Sequence, residues 1–222
     1  MAHYYPVFLD LRDRLCVVVG GDATAEAKVR ELLAAGARVV VVAEHLDPRI
    51  EELVRAGRLR LRRRAYRDGD LAGAFLGIAT PAAAPQDGVW REAERRGLPF
   101  NSVDDPWHCS FIAGSVLRRG DLTVAISTAG RAPALAVRLR QRLEELLGAH
   151  HARFLELAGT VRTAFAAQRP DAASRRELWY QLVDSDVLDL LRRGDDATAR
   201  RRFGEILGVE PAGEPAAGRE AG

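Results

Sequence analysis

A chain of 222 residues with 47% hydrophobic content can bury a sound core, as one α/β domain with a smaller helical piece. A net charge of +2 gives no footprint for nucleic acid, and no apolar run approaches the roughly 18 residues of a membrane span. The N-terminal stretch MAHYYPVFLDL lacks the layout of a signal peptide, so a cytoplasmic protein is expected. Lys28 is the sole lysine. The positive charge is therefore arginine, either through genomic composition or for bidentate capture of carboxylates. The cysteines, Cys16 and Cys109, make no disulfide framework, and Cys16 reads as a small core residue.

In chain order, residues 5–11 alternate loosely and predict a short lead-in strand, followed by a polar turn at 12–14. Residues 16–19 are an unbroken apolar run, as in a strand buried on both faces. The pair Gly20-Gly21 follows, and then helical spacing that puts Ala25, Val29, Leu32 and Leu33 on one face. Gly36 is placed to end that helix, and the β-branched run 39–42 is the next strand. Strand, glycine turn, helix and strand make a βαβ unit whose right-handed crossover puts the turn at a helix N-terminus, where a pyrophosphate is favoured. The pattern G-x-G-x-x-G/A fits with Gly20 first and Ala25 last, but Asp22 holds the middle position. Either the turn binds a nucleotide, through Gly20, Gly21, Asp22, Ala23 and Thr24, or it is a structural turn with no ligand.

Just past the second strand, Glu44 and His45 stand where a dinucleotide fold meets the adenosine ribose. An acid about twenty residues beyond the glycines favours NAD, and an exposed loop acid is the alternative. Pro48 opens a helix through residue 56, and residues 59–62 form a short strand. Residues 75–80 are the next buried strand, ending at Thr80, followed by a loop over 81–88 and a helix over 89–96. A strand over 99–103 ends at Asp104. Gly20, Glu44, Thr80 and Asp104 thus fall at four strand ends on one edge, where ligands of open parallel sheets collect.

Residues 122–127 alternate like a strand paired on one side, 128–133 are a turn, and 134–147 are an amphipathic helix with arginines on its polar face. A strand and helix appended to a five-stranded unit read as a dimerisation element. Residues 150–208 are helical, with breaks near Pro170 and Gly194, and pack as a small bundle on Phe154, Leu157, Val161 and Phe165. The tail from Glu210 is too poor in large apolar residues to fold. His108 and Cys109 read as packing or polar lining, because their spacing matches no zinc pattern, so no metal site is assigned.

The segments YPVFLDLRDR, VVVGGDATAEAKVRELLAAGARVVVVA, FLGIAT, GLPFNSVDDPWHCSFI and RRGDLTVAISTAGRAPALAVRLRQRLEELL, in this order, cover most of residues 5–147. Together they resemble the precorrin-2 dehydrogenase/sirohydrochlorin ferrochelatase family of siroheme synthesis. The resemblance implies a Rossmann-like parallel sheet with a strand–helix dimerisation element and a small C-terminal helical domain. The expected divisions are a dinucleotide-binding domain at 1–112, a dimerisation region at 113–148, a helical domain at 149–209 and a disordered tail at 210–222. The sequence given carries no methyltransferase domain after these segments, which implies the stand-alone form.

The activity implied is NAD-dependent oxidation of precorrin-2 to sirohydrochlorin, followed in some members by insertion of ferrous iron. Asp104 matches the family's functional aspartate and is the expected catalytic base; capping the turn before Pro106 is its structural alternative. Arg118, Arg119 and Arg131 are the expected contacts to the carboxylate-rich tetrapyrrole, each with a plain surface position as the alternative. Thr128 aligns with a serine or threonine of the family, lining the cleft or stabilising its turn. The expected cofactor contacts are those of the glycine turn with Glu44, His45 and Thr80. A homodimer is expected, with neither nucleic acid nor membrane as a partner. The family usually has a third glycine at Asp22, an aspartate at Pro81 and often a proline at Gly114. These departures keep a second reading open: a sirohydrochlorin chelatase, or a tetrapyrrole-binding protein, with impaired NAD binding.

Overall fold

The computed structural model describes residues 4–81 and 86–212, which divide into two compact units, one within residues 1–113 joined by 129–131 and the other formed by 114–128 with the described residues from 132 onward. In the first, β1 (Leu15–Val19), β2 (Arg38–Val42), β3 (Arg60–Arg62), β4 (Leu76–Ala79) and β5 (Phe100–Ser102) form a parallel sheet in the order β3-β2-β1-β4-β5. Three helices connect its strands: α1 (Ala23–Ala34), α2 (Pro48–Arg55) and α3 (Gln86–Arg96). Central β1 aligns Val17 with Val40 on one side and with Gly77 on the other.

The continuous apolar runs follow from this arrangement, because side chains alternate between two buried faces. Cys16, Val18, Val39 and Val41 pack with Ala25, Val29 and Leu32 of α1 and Ile50 of α2. Val17, Val19, Val40 and Val42 pack with Leu71, Phe100, and Val89 and Ala93 of α3. Burial also pushes the Cys16 thiol up to about 11. Gly36, at φ +78, turns the chain out of α1.

The lead-in segment differs from expectation. Residues 4–10 form no strand, and Tyr5, Val7, Phe8 and Leu9 are exposed. Alternation alone does not make a strand; this segment has no ladder partner, since β3 and β5 are the sheet's edges. Residues 82–85 of the expected loop lie outside the described residues, and α3 begins three residues earlier than its apolar spacing indicates.

In the second unit, β6 (Ser115–Arg119) and β7 (Leu122–Ile126) form an antiparallel hairpin closed through Gly120 at φ +54. Strand β6, which carries two arginines, has no periodic signal in the sequence. Then come α4 (Pro133–Leu146), α5 (Ala149–Gln168), α6 (Ala172–Val183), α7 (Val187–Arg193) and α8 (Asp196–Leu207). The last four helices enclose Phe154, Leu157, Val161, Phe165, Leu182 and Phe203, with Trp179 edge-on to Phe165 at 5.6 Å. The breaks fall at 169–171 and 194–195, and a third, at 184–186, follows the aspartate and serine there. Of the expected disordered tail, residues 210–212 are in place, with Pro211 buried and the Ala212 carbonyl accepting from Arg200 Nη1 at 2.9 Å; residues 213–222 lie outside the described residues. No helix among the described residues is long and apolar enough to cross a membrane.

Candidate functional site

The turn after β1 is built on two close approaches. Gly20 has φ +119, and a Cβ there would collide with Thr80 Oγ1; a Cβ on Gly21 would collide with the His45 carbonyl. Both positions therefore need glycine for lack of space. The Gly20 amide donates to Val42 O at 2.9 Å, and the Asp47 amide to Gly21 O at 2.6 Å, tying the β2–α2 loop to the turn. Thr80 is fully buried beneath Gly20. It supports the turn from below and is not among the residues that line the cleft, where the sequence suggests a cofactor contact.

Above the turn lies a cleft of about 370 Å³, lined by Gly20, Gly21, Asp22, Glu44, His45 and Tyr66 among others. Glu44 and His45 are exposed along its middle. Asp22 is the N-cap of α1, where its Oδ1 accepts from the Ala25 amide at 2.8 Å. The amides of Ala23 and Thr24 have no hydrogen-bond partner among the described residues and remain at the helix N-terminus. Asp47, also in the lining, caps α2 by accepting from the Arg49 amide at 2.9 Å. Hydrogen bonds from the Arg49 side chain and amide hold its carboxyl below the usual range.

The far wall was not legible in the sequence. Tyr66 stands there, its hydroxyl donated to Glu92 Oε2. Glu92 is fully buried and also accepts from the Gly69 amide at 2.9 Å and Arg96 Nε at 2.6 Å. Burial opposes its charge, but these three donors outweigh it and hold the carboxyl below its ordinary value. Burial and the hydrogen bond to Glu92 push the Tyr66 phenol up. Asp70 secures the same segment: Arg62 Nη1 and Arg64 Nη1 each lie 2.7 Å from its oxygens, and the Arg67 amide donates at 2.9 Å. Asp70 is drawn down to about 2, chiefly by the Arg64 hydrogen bond.

Asp104 follows β5 on the same carboxyl edge, but β4 lies between it and the strands that form the cleft, so it is not in the cleft wall. It is exposed, at φ +63, and its carboxylate has no hydrogen-bond or ion-pair partner among the described residues. The turn is pinned beneath it. Cys109 Sγ accepts from the Ser102 amide at 3.3 Å and lies 3.3 Å from Asp105 O, while Asn101 Nδ2 donates to Phe111 O at 3.0 Å. Burial, first among its causes, raises the Cys109 thiol. His108 Nδ1 sits 2.5 Å from Asp105 Oδ2, so the neighbouring acid is engaged and Asp104 is not. Asp104 thus stands as an exposed carboxylate in left-handed backbone above a braced turn.

The residues named as substrate contacts separate. Arg118, Arg119 and Thr128 belong to the second unit, whereas Arg131 falls with the first. Arg118 and Arg131 are exposed. Arg119 donates from Nε to Leu147 O and from Nη1 to Arg118 O, both at 3.0 Å, so its guanidinium braces the hairpin. Thr128 Oγ1 accepts from the Ala132 amide at 3.3 Å, the turn-stabilising role.

Three family models match in succession: "Putative NAD(P)-binding" over residues 7–115, "Sirohaem biosynthesis protein central" over 119–146 and "Sirohaem synthase dimerisation region" over 150–207. In order, then, the chain carries a putative NAD(P)-binding region followed by the central and dimerisation regions of siroheme-synthesis proteins. The siroheme synthase of Chromobacterium violaceum is 36% identical over 198 residues, covering 89% of this chain and 42% of that protein. That of Methylobacillus flagellatus is 37% identical over 203 residues, covering 91% and 44%. The chain thus spans less than half the length of these siroheme synthases. Among solved structures, SirC, precorrin-2 dehydrogenase, superposes with a TM-score of 0.74 at 23% identity over 92% of this chain and 99% of that one, and so shares the fold. The siroheme synthase dimerisation model falls on α5–α8, whereas the reading of the sequence placed that role at 113–148.

As for a dinucleotide, the cleft fits its adenosine half with the glycine turn ahead of a helix N-terminus, a carboxylate at the end of β2 and an aromatic ring beyond it, although Ala23 and Thr24 are not among its lining residues. The volume lies within the roughly 300–1,000 Å³ usual for small-molecule pockets. Asp22 is the exception, a carboxylate already seated on one amide of the phosphate position.

Proposed function

We propose that the chain oxidises precorrin-2 to sirohydrochlorin in siroheme biosynthesis, with NAD as the hydride acceptor. The observation that carries the reading is Asp104, an unpaired carboxylate on the same sheet edge as the cleft between the glycine turn and Glu44. The reaction removes a hydride and a proton from the tetrapyrrole. NAD, when bound, supplies the hydride-accepting ring. Asp104 takes the proton, its exposed oxygens leaving room for a substrate C–H or N–H to approach. The glycine turn, with the amides of Ala23 and Thr24, holds the pyrophosphate, and Glu44 accepts from the ribose hydroxyls. Since the adenosine half lies over β1 and β2, the nicotinamide half extends towards β4 and β5, where Asp104 stands. Arg131, exposed and in the same unit as Asp104, is the arginine we assign to a carboxylate of the substrate. The reading includes a homodimer, supported by the dimerisation-region match, and a cytoplasmic location.

Incubating the protein with precorrin-2 and NAD tests this. NADH and sirohydrochlorin should appear in equal amounts; no turnover by folded protein refutes the dehydrogenase. The Asp22 carboxylate on the Ala25 amide favours a second reading, a sirohydrochlorin ferrochelatase with impaired NAD binding. In that case supplied sirohydrochlorin takes up ferrous iron, its pyrrole protons passing to Asp104, without any need for NAD.

A further inference from the structure

The cleft has three parts in sequence across the sheet edge. The glycine turn lies at the end of β1, Glu44 and His45 at the end of β2, and Ala65 and Tyr66 beyond β3. With phosphate at the first and ribose at the second, the group reaching the third is the base of the nucleotide. The residue waiting there is an aromatic ring. We propose that Tyr66 is the stacking platform for the adenine of the cofactor, its hydroxyl taken up by buried Glu92. This rests on the dinucleotide reading above and adds a residue to it.

Two features separate Tyr66 from an ordinary packing aromatic. It packs against the cluster of Val17, Val19, Val40 and Val42 and also lines the cleft, so it joins the core to the cleft wall. Its hydroxyl is spent on a fully buried carboxylate from a helix 26 residues along the chain. A buried Glu is costly unless its oxygens are satisfied, and here Tyr66, Arg96 and the Gly69 amide converge on it. Asp70 clamps the same 62–70 segment through Arg62 and Arg64. The ring is therefore held from two sides before any ligand arrives, and stacking costs little reordering. With its hydroxyl occupied, Tyr66 offers the base a face and no hydrogen bond.

AMP is the direct probe, with nicotinamide mononucleotide as the control that lacks adenine. Tyr66→Leu should weaken AMP and NAD binding by roughly tenfold, as measured by calorimetry, and leave nicotinamide mononucleotide unchanged. Tyr66→Phe, which keeps the ring, should retain AMP affinity within about threefold. In turnover the Leu variant should raise KM for NAD by the same factor, against less than a twofold change in kcat. In the unsubstituted protein, nuclear Overhauser contacts should join adenine H2 or H8 to the Tyr66 ring, a readout that needs no variant to fold. Equal AMP affinity in the native and folded Leu proteins, or adenine contacts to other residues alone, overturns this assignment while leaving dinucleotide binding intact. If the native protein binds neither AMP nor NAD, both readings fall.

Discussion

In the parallel-sheet unit Glu26, Asp70, Thr80, Glu92, Asn101 and Ser102 are all buried, whereas every buried side chain of α5–α8 among the described residues is apolar. The two cores do different work. The helical one excludes water and holds its elements together, as Phe154, Phe165, Trp179 and Phe203 do by edge and tilted contacts. In the sheet unit five of the buried polar groups each fix a loop, Thr80 under Gly20, Asp70 and Glu92 behind Tyr66, and Asn101 and Ser102 under Asp104, while Glu26 pairs with Arg30 and Arg49 on the helices. Buried polarity thus marks the edge at which function is proposed.

The largest expected effect separates chemistry from packing. Asp104→Asn should lower kcat for sirohydrochlorin formation by roughly 10²–10⁴-fold, because a proton acceptor is lost. Its unfolding midpoint should barely move, since the side chain is exposed and Asn tolerates left-handed backbone. The reverse pattern belongs to the helical core. Phe203→Ala should cost roughly 3–5 kcal/mol in denaturant unfolding, by cavity formation, with little pH dependence.

Acid titration sharpens the contrast. Asp70 is drawn to about 2 from an ordinary 3.8, so the folded state favours its charged form. That contribution, about 2 kcal/mol, is complete above pH 4 and disappears as the pH falls towards 2. Circular dichroism of native protein and Asp70→Asn between pH 5 and 2 should show the native chain losing this increment; parallel curves would refute it. The smallest effect concerns Asp22. Asp22→Gly should tighten NAD binding several-fold by freeing the Ala25 amide and removing a negative charge, at a cost of a few tenths of a kcal/mol in helix capping. Unchanged affinity would mean that the carboxylate already moves aside.

Much of this edge was legible because parallel strands buried on both faces read as unbroken apolar runs, and Gly20, Gly21 and Gly36 punctuate them. Local signals of that kind placed β1, α1, β2 and the turn at Asp104. What stayed hidden depends on residues far apart in sequence. Thr80 stood at the expected strand end, yet only its contact with Gly20, sixty residues away, turns its hydroxyl under the loop. Tyr66 meets Glu92 of α3 from 26 residues away, and neither carries a motif. Asp22 is a departure from the glycine pattern, and nothing in that pattern says its carboxylate turns to the helix amide. Residues 5–11 erred the other way, an alternation with no neighbour to pair with.

The central claim is that the carboxyl edge of the parallel sheet is a dinucleotide site. Titrating the full chain with NAD while following backbone amide resonances tests it most directly. The account predicts that the largest shifts fall on Gly20, Gly21, Ala23, Thr24, Glu44 and His45, with the α5–α8 amides unmoved. Saturable shifts centred anywhere else, or none at millimolar NAD, would contradict it.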